Sequence, residues 1–238
     1  MKGSLKYLVS GMLLLSPLCA RAEYLTTSRP GAINWTGAYV GLNTGYGWGQ
    51  RTPLDLVSTR FDTQNFTING GFVGGTAGGQ VQQGYIVLGA EVDLDWANIR
   101  GSGTILPTIE GAPTPVTLHV ATKTGAVGTA RMRLGIAMDN WLIYGTGGAA
   151  ILHESADITT VAGPPCGTFG VLLRCTASRW RPGVALGVGG EYAVPANWSI
   201  FPGTNWSVKG EFLYVVAAGS GPSKDEFGLI RLGINYKF

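Results

Sequence analysis

The sequence is poor in charge: Asp, Glu, Lys and Arg make up 13% of its 238 residues. It holds two histidines and three cysteines. No basic run or RNA-binding motif is present, so nucleic acid is not expected as a partner. Two histidines leave little material for a catalytic or metal centre, and no cofactor or metal is expected. Beyond the first 22 residues no apolar stretch reaches 18 residues, so no spanning helix is expected.

The opening residues read as an address. Lys2 and Lys6 precede an apolar run from Tyr7 to Leu18, and Ala20-Arg21-Ala22 supplies a small-residue cleavage site. That is the layout of a secretory signal peptide over residues 1–22. The apolar run is too short for a membrane anchor. Cys19 follows Leu18, not the small residue that lipid attachment prefers, and leaves with the leader. The leader takes Lys2, Lys6 and Arg21 and no acid, so the net charge of +3 falls to 14 cations against 14 anions. Cys166 and Cys175 remain. Export is oxidising, so a disulfide between them is expected, closing one loop. In the chain-entropy view it contributes about 2–3 kcal/mol.

What is present is glycine, 38 residues of it, with aromatics spread along the chain and a recurring period of two. In the last segment Ile230, Leu232, Ile234, Tyr236 and Phe238 alternate with Arg231, Gly233, Asn235 and Lys237. Trp206, Val208, Phe212 and Tyr214 oppose Ser207, Lys209 and Glu211. Ile86, Leu88, Val92, Leu94 and Trp96 oppose Glu91, Asp93 and Asp95, and Met132, Leu134, Ile136 and Met138 oppose Arg131 and Arg133. Val184, Leu186, Val188 and Tyr192 oppose Arg181, Gly183, Gly187 and Glu191. Segments 37–49 and 72–82 alternate less cleanly, and 141–152 is apolar on both faces, so its parity stays open.

About eight such segments predict an all-β fold: an eight-stranded antiparallel up-and-down transmembrane β-barrel. A soluble sandwich or lipocalin-like barrel also alternates, but it shows its polar face to water. Here the polar face carries Glu91, Asp93, Arg131, Arg133, Arg181, Glu191, Lys209, Glu211 and Arg231 among many glycines. Small wall residues leave room for long ions to cross a narrow lumen and pair there, where an unpaired ion is costly. Asp93 and Asp95 are expected to pair with Arg131 and Arg133. Outer loops are expected at 50–69, 99–116, 153–178 and 217–226, with tight inner turns at Gln83-Gly84 and Asp139-Asn140. A third inner connection, 194–205, is longer and runs from one Asn-Trp-Ser to the edge of a second. Trp48, Trp96, Trp141, Trp180, Tyr192, Tyr236 and Phe238 fall near strand ends, as girdles at the two membrane interfaces do.

Motifs for chemistry are weak. His153-Glu154-Ser155 holds base, acid and nucleophile, but neighbours on a strand point to opposite faces. His119 is a loop-edge histidine with no second axial ligand. Gly145-Thr146-Gly147-Gly148 mimics a dinucleotide loop without the helix and acid that motif needs.

The chain ends on Tyr236-Lys237-Phe238, and this resembles the terminal signal, Tyr236 and Phe238, read by the outer-membrane assembly machinery. Asn34-Trp35-Thr36-Gly37-Ala38-Tyr39-Val40-Gly41 with Gly45-Tyr46-Gly47-Trp48-Gly49, Gly190-Glu191-Tyr192, and Asn205 through Tyr214 resemble the alphaproteobacterial outer-membrane porin-family surface antigens. The repeated Asn-Trp-Ser and the loops depart from that pattern. The resemblance implies an OmpA-like eight-stranded barrel over 35–238, after a short periplasmic segment 23–34. It implies a structural or surface-recognition role, not catalysis. The alternatives are a small-solute pore and, more remotely, hemin binding or an envelope enzyme. Barrels of this size have interiors that side chains fill, so a closed lumen is expected. The implied partners are the bilayer with its lipopolysaccharide, the assembly machinery, and a host or surface ligand at the outer loops.

Overall fold

Strands with oil-compatible side chains on one face and ions on the other satisfy both only if the sheet curls around the ions and leaves no edge. The computed structural model describes residues 33–51, 66–105, 108–109, 112–113, 118–160, 176–195, 205–217 and 225–238. Residues 1–22, expected to be a signal peptide, and the expected Cys166–Cys175 disulfide lie outside the described residues. Among those described, eight long strands run β1 Gly37–Arg51, β2 Phe66–Gln83, β3 Ile86–Ile105, β4 Leu118–Met138, β5 Trp141–Thr160, β6 Thr176–Ala193, β7 Trp206–Ala217 and β8 Asp225–Lys237. Each pairs antiparallel with its neighbour in sequence, and β8 returns to β1 from Tyr39↔Lys237 to Gln50↔Glu226, closing the barrel.

Every alternation named above is sorted by the wall as its sequence implies. Leu42, Leu88, Val92, Met132, Leu134, Leu186 and Leu232 are exposed on the outside, while Glu91, Arg131, Lys209 and Arg231 are buried inside. The open case, β5, has Leu142, Tyr144, Thr146, Ala150 and Leu152 inward, so its lumen side is apolar at both ends. That is why its parity could not be seen.

The inner turns are tight. Gly84-Tyr85 forms the first, one residue later than the sequence pattern suggests, with Gly84 at φ +60°. Asp139-Asn140 forms the second, with Asp139 at φ +52°, a left-handed conformation that Asp tolerates better than most side chains. Strand lengths are unequal: β3, β4 and β5 have 20, 21 and 20 residues, β7 and β8 only 12 and 13. A spanning strand needs about 9–11 residues. Since the inner ends are level, the surplus of β2 to β6 rises as a collar beyond the outer girdle.

The expected outer loops are therefore too long. Strand pairing continues through 66–69, 99–105, 153–160 and 176–178, and a short ribbon pairs Thr108–Ile109 with Ala112–Pro113. The reason is solvent. Past Trp96 the outward residues of β3 are Asn98, Arg100, Ser102 and Thr104, so the apolar alternation that marks a strand disappears while its hydrogen bonds persist.

Two irregularities sit at this boundary. The β3–β4 register shifts between Trp96 and Ile99, and the β4–β5 register shifts between Thr124 and Ala126. The second is a bulge at Gly125. Below it the odd residues Val127, Thr129, Arg131 and Arg133 point inward; above it the even residues Thr124, Thr122 and Val120 do.

Candidate functional site in the barrel lumen

The lumen is filled in three layers. At the inner mouth Trp35, just ahead of β1, folds across the opening and packs with Val87, Leu142, Tyr144 and Ala193. Its backbone N–H donates to Gln82 Oε1 at 2.8 Å. Toward the outside Phe66, Ile68, Phe72, Ile99, Leu152 and Phe227 belong to a second apolar cluster. Between the two lies a layer of ions.

That layer contains five carboxylates, Glu91, Asp93, Asp95, Glu191 and Glu211, and four cations, Arg131, Arg133, Lys209 and Arg231, all buried. Arg131 reaches Glu91 at 2.6 Å, Asp93 at 2.7 Å and Glu211 at 3.0 Å. Arg231 reaches Asp93 at 2.8 Å and Asp95 at 2.6 Å. Arg133 donates to Glu191 at 2.7 Å and to the Tyr39 hydroxyl at 3.0 Å, with its guanidinium 3.8 Å from the centre of the Tyr144 ring. Lys209 donates to Glu91 at 2.8 Å.

Neutral donors complete the carboxylates. Thr76 and Thr129 donate to Asp93 at 2.5 and 2.8 Å, Ser207 and Asn235 to Glu191 at 2.5 and 2.9 Å, and Tyr39 to Glu91 at 2.9 Å. Burying ions this deeply is tolerable only when pairing and hydrogen bonding are this dense.

The strands explain how the layer assembles. Glu91 stands opposite Arg131 and Glu211 opposite Arg231 in the ladder, so two contacts of opposite charge are built into neighbouring strands. Other bonds cross the lumen. Lys209 faces Glu191 in register yet donates to Glu91 on a distant strand. Glycine makes the crossing possible: a Cβ on Gly189 would lie 2.6 Å from the Tyr144 ring, and one on Gly74 would collide with the Asp95 carboxylate.

Of the nine ions named from the sequence, eight meet in this layer. Arg181 does not; it pairs with Glu154 at 3.2 Å nearer the collar. The expected pairing of Asp95 with Arg131 or Arg133 is wrong. Asp95 is held by Arg231 of β8, because barrel closure brings β8 across from β3. Asp95, Tyr39, Thr76 and Thr129 lie outside the named set, although inward parity on their strands marks them; Tyr144 lies outside it because it stands on β5, whose parity the sequence leaves open.

The chemical motifs are pulled apart. Glu154 points into the lumen, while His153 lies on the outer wall with Nε2 3.0 Å from Ser178 Oγ and its ring centre 4.7 Å from that of Trp180. His119 also falls on the outward side of β4, above the bulge. Aromatic residues cluster at both ends of the apolar band. Trp141 stacks near Tyr192 at 4.8 Å, Trp206 meets Tyr236 at 5.0 Å and Tyr236 meets Phe238 at 5.4 Å on the inner side. Trp48, Trp96 and Trp180 stand exposed on the outer side.

A family model described as outer membrane protein beta-barrel domain matches residues 12–238. The chain is 29% identical over 265 aligned positions, covering all of both chains, to the 31 kDa outer-membrane immunogenic proteins of Brucella melitensis and Brucella suis. Among solved structures it is similar to Ail, the attachment invasion locus protein of Yersinia pestis, at 13% identity and TM-score 0.38, covering 85% of this chain and all of that one. It is also similar to the outer membrane protease OmpT of Escherichia coli, at 11% identity and TM-score 0.43, covering 91% of this chain and all of that one.

Proposed function

Because the chain belongs to the outer membrane protein β-barrel domain family, we propose that it works as a structural and surface-presenting barrel whose lumen does not conduct solutes. The observation that carries this reading is the three-layer filling: an ion layer between two apolar clusters, with Trp35 across the inner mouth. A solute would have to part Arg131 from three carboxylates at once. The interior of an eight-stranded barrel is otherwise only wide enough for side chains.

On this reading the wall stiffens the envelope, the outer loops meet host or surface ligands, and Tyr236 and Phe238 are read by the assembly machinery. Catalysis plays no part: the carboxylate of the His153-Glu154-Ser155 triplet is on the other side of the wall from its histidine. The immunogenic standing of the Brucella relatives fits a protein displayed at the cell surface.

Planar-bilayer recording tests the proposal. The purified barrel should give no discrete openings, and Arg131→Ala should introduce them or raise leakage. Reproducible openings of the unaltered protein, changed in size by Arg131→Ala, would establish a pore instead.

A further inference from the structure

On the outer wall, just above the outer girdle, two cations stand directly opposite each other. Arg100 of β3 pairs in register with Lys123 of β4, and both are exposed. Like charges at such a cross-strand position sit about 4.5–5.5 Å apart at Cβ and destabilise the ladder. Their closeness is constructed. Below the bulge the odd residues of β4 face the lumen, so an unbroken strand would send Lys123 inward; the extra residue at Gly125 turns it out beside Arg100.

Their neighbours are neutral. Asn69 of β2 flanks Arg100, and Ser155 of β5 flanks Lys123. Arg100 Nε donates to Asn98 Oδ1 at 2.7 Å, which fixes the guanidinium and leaves its terminal nitrogens to point elsewhere. The outward carboxylate of this corner, Asp157, stands opposite Ala121, one rung farther from the membrane.

Beneath the pair the wall is thin. Along β4 the outward residues are Ala126, Gly128 and Ala130, between Trp96, Leu94 and Val92 on one side and His153, Ile151 and Ala149 on the other. They lead to a hollow of about 500 Å³ in the apolar band, lined on the outside by Ala77, Ala90, Ala130, Met132 and Gly147. From Lys123 to Ala130 is roughly 23 Å along the strand, or about 16 Å along the membrane normal at a tilt of about 45°. That is the depth of one leaflet, half of about 30 Å.

We propose that Arg100 and Lys123 bind the phosphate of a phosphorylated glycolipid of the outer leaflet, with an acyl chain lying along β4 into the hollow at Ala130. Two cations clamp one phosphate through charge-assisted hydrogen bonds, which cancels the repulsion between them. Asn69 and Ser155 offer hydrogen bonds to sugar hydroxyls, and the small residues of β4 let a chain lie close against the wall. The site is independent of whether the lumen conducts.

The test is native mass spectrometry of the detergent-purified barrel titrated with phosphorylated lipid A, and with the same lipid A after enzymatic dephosphorylation. Heat-modifiable gel mobility confirms that each variant is folded. The unaltered protein should hold one phosphorylated lipid. Arg100→Gln/Lys123→Gln should bind it about tenfold more weakly, from the loss of charge-assisted bonds. The dephosphorylated lipid should bind both proteins equally and weakly. Ala130→Leu, which projects a larger side chain into the hollow and leaves the cations intact, should also weaken retention of the phosphorylated lipid. Equal binding of the two lipids, or a double variant that binds like the unaltered protein, overturns the proposal. So does capture of inorganic phosphate with no preference for the lipid, which would mean a soluble-anion site.

Discussion

The barrel below the Trp96–Trp180 level and the collar above it share strands but not rules. Below, the outward face is apolar and the lumen holds eight of the nine expected ions in one network. Above, the outward face carries Asn98, Arg100, Ser102 and Thr104, the registers shift twice, and among the described residues the Arg181–Glu154 pair is held inside. In the band, oil outside forbids backbone edges and stray ions, so every position is constrained from both sides of the wall. In the collar water can satisfy either face, and alternation relaxes.

If that contrast is right, removing a cation from the ion layer should hurt most. Arg231 is fully buried and holds both Asp93 and Asp95. Arg231→Met should destabilise the folded barrel by about 3–5 kcal/mol, because it strands buried charge. The urea midpoint for loss of the heat-modifiable band checks this. Adding Asp95→Leu should recover part of the loss, since an apolar replacement of a buried pair is often neutral. A double variant no better than the single would show that Arg231 acts by packing and not by pairing.

A charge on the lipid face comes next. Val92 is exposed on the outside of β3 near the middle of the band. Val92→Arg should cost about 2–4 kcal/mol in lipid vesicles, the range for a cation near the bilayer midplane. The same variant in detergent micelles, which deform around an ion, should lose less. Equal losses in both would argue that Val92 packs against protein rather than oil.

Smaller again is the collar's ion pair. Glu154 and Arg181 are buried but lie apart from the central network. Glu154→Gln keeps the shape and can still accept one hydrogen bond, so the expected loss is about 1–3 kcal/mol, the cost of an imperfectly satisfied buried group. A loss as large as that of Arg231→Met would extend the ion layer's rules into the collar.

What could be read in the sequence follows the same division. Strands facing oil announce themselves, because an apolar residue at every second position has no other explanation. In seven segments the alternation alone separates the inward from the outward set for this reason. In β5 Leu142 and Leu152 belong to lumen clusters, so apolar residues fall on both faces and parity is hidden. Partners across the lumen were illegible for another reason. Register links Lys209 to Glu191, but side-chain reach and closure send it to Glu91, and neither is a property of one strand. The bulge at Gly125 was equally hidden: one more glycine among 38 carries no local mark of an extra residue. Asp95 was visible as an inward residue, yet its bond to Arg231 needs the ends of the chain to meet.

The weakest expected effect is the sharpest control on where the membrane stops. Ser102 is an exposed outward residue of β3, ten positions along the same face from Val92 and opposite Ala121. If the collar stands in water, Ser102→Arg is an ordinary surface substitution and should change stability by no more than about 0.5 kcal/mol. Arg100 lies two residues away on the same face, but repulsion between exposed cations at that spacing is screened by salt. The measurement is the same vesicle unfolding midpoint used for Val92→Arg, at about 0.15 M salt. A penalty near that of Val92→Arg would place Ser102 in oil, move the outer boundary past Trp96, and require Arg100 and Lys123 to sit within the bilayer.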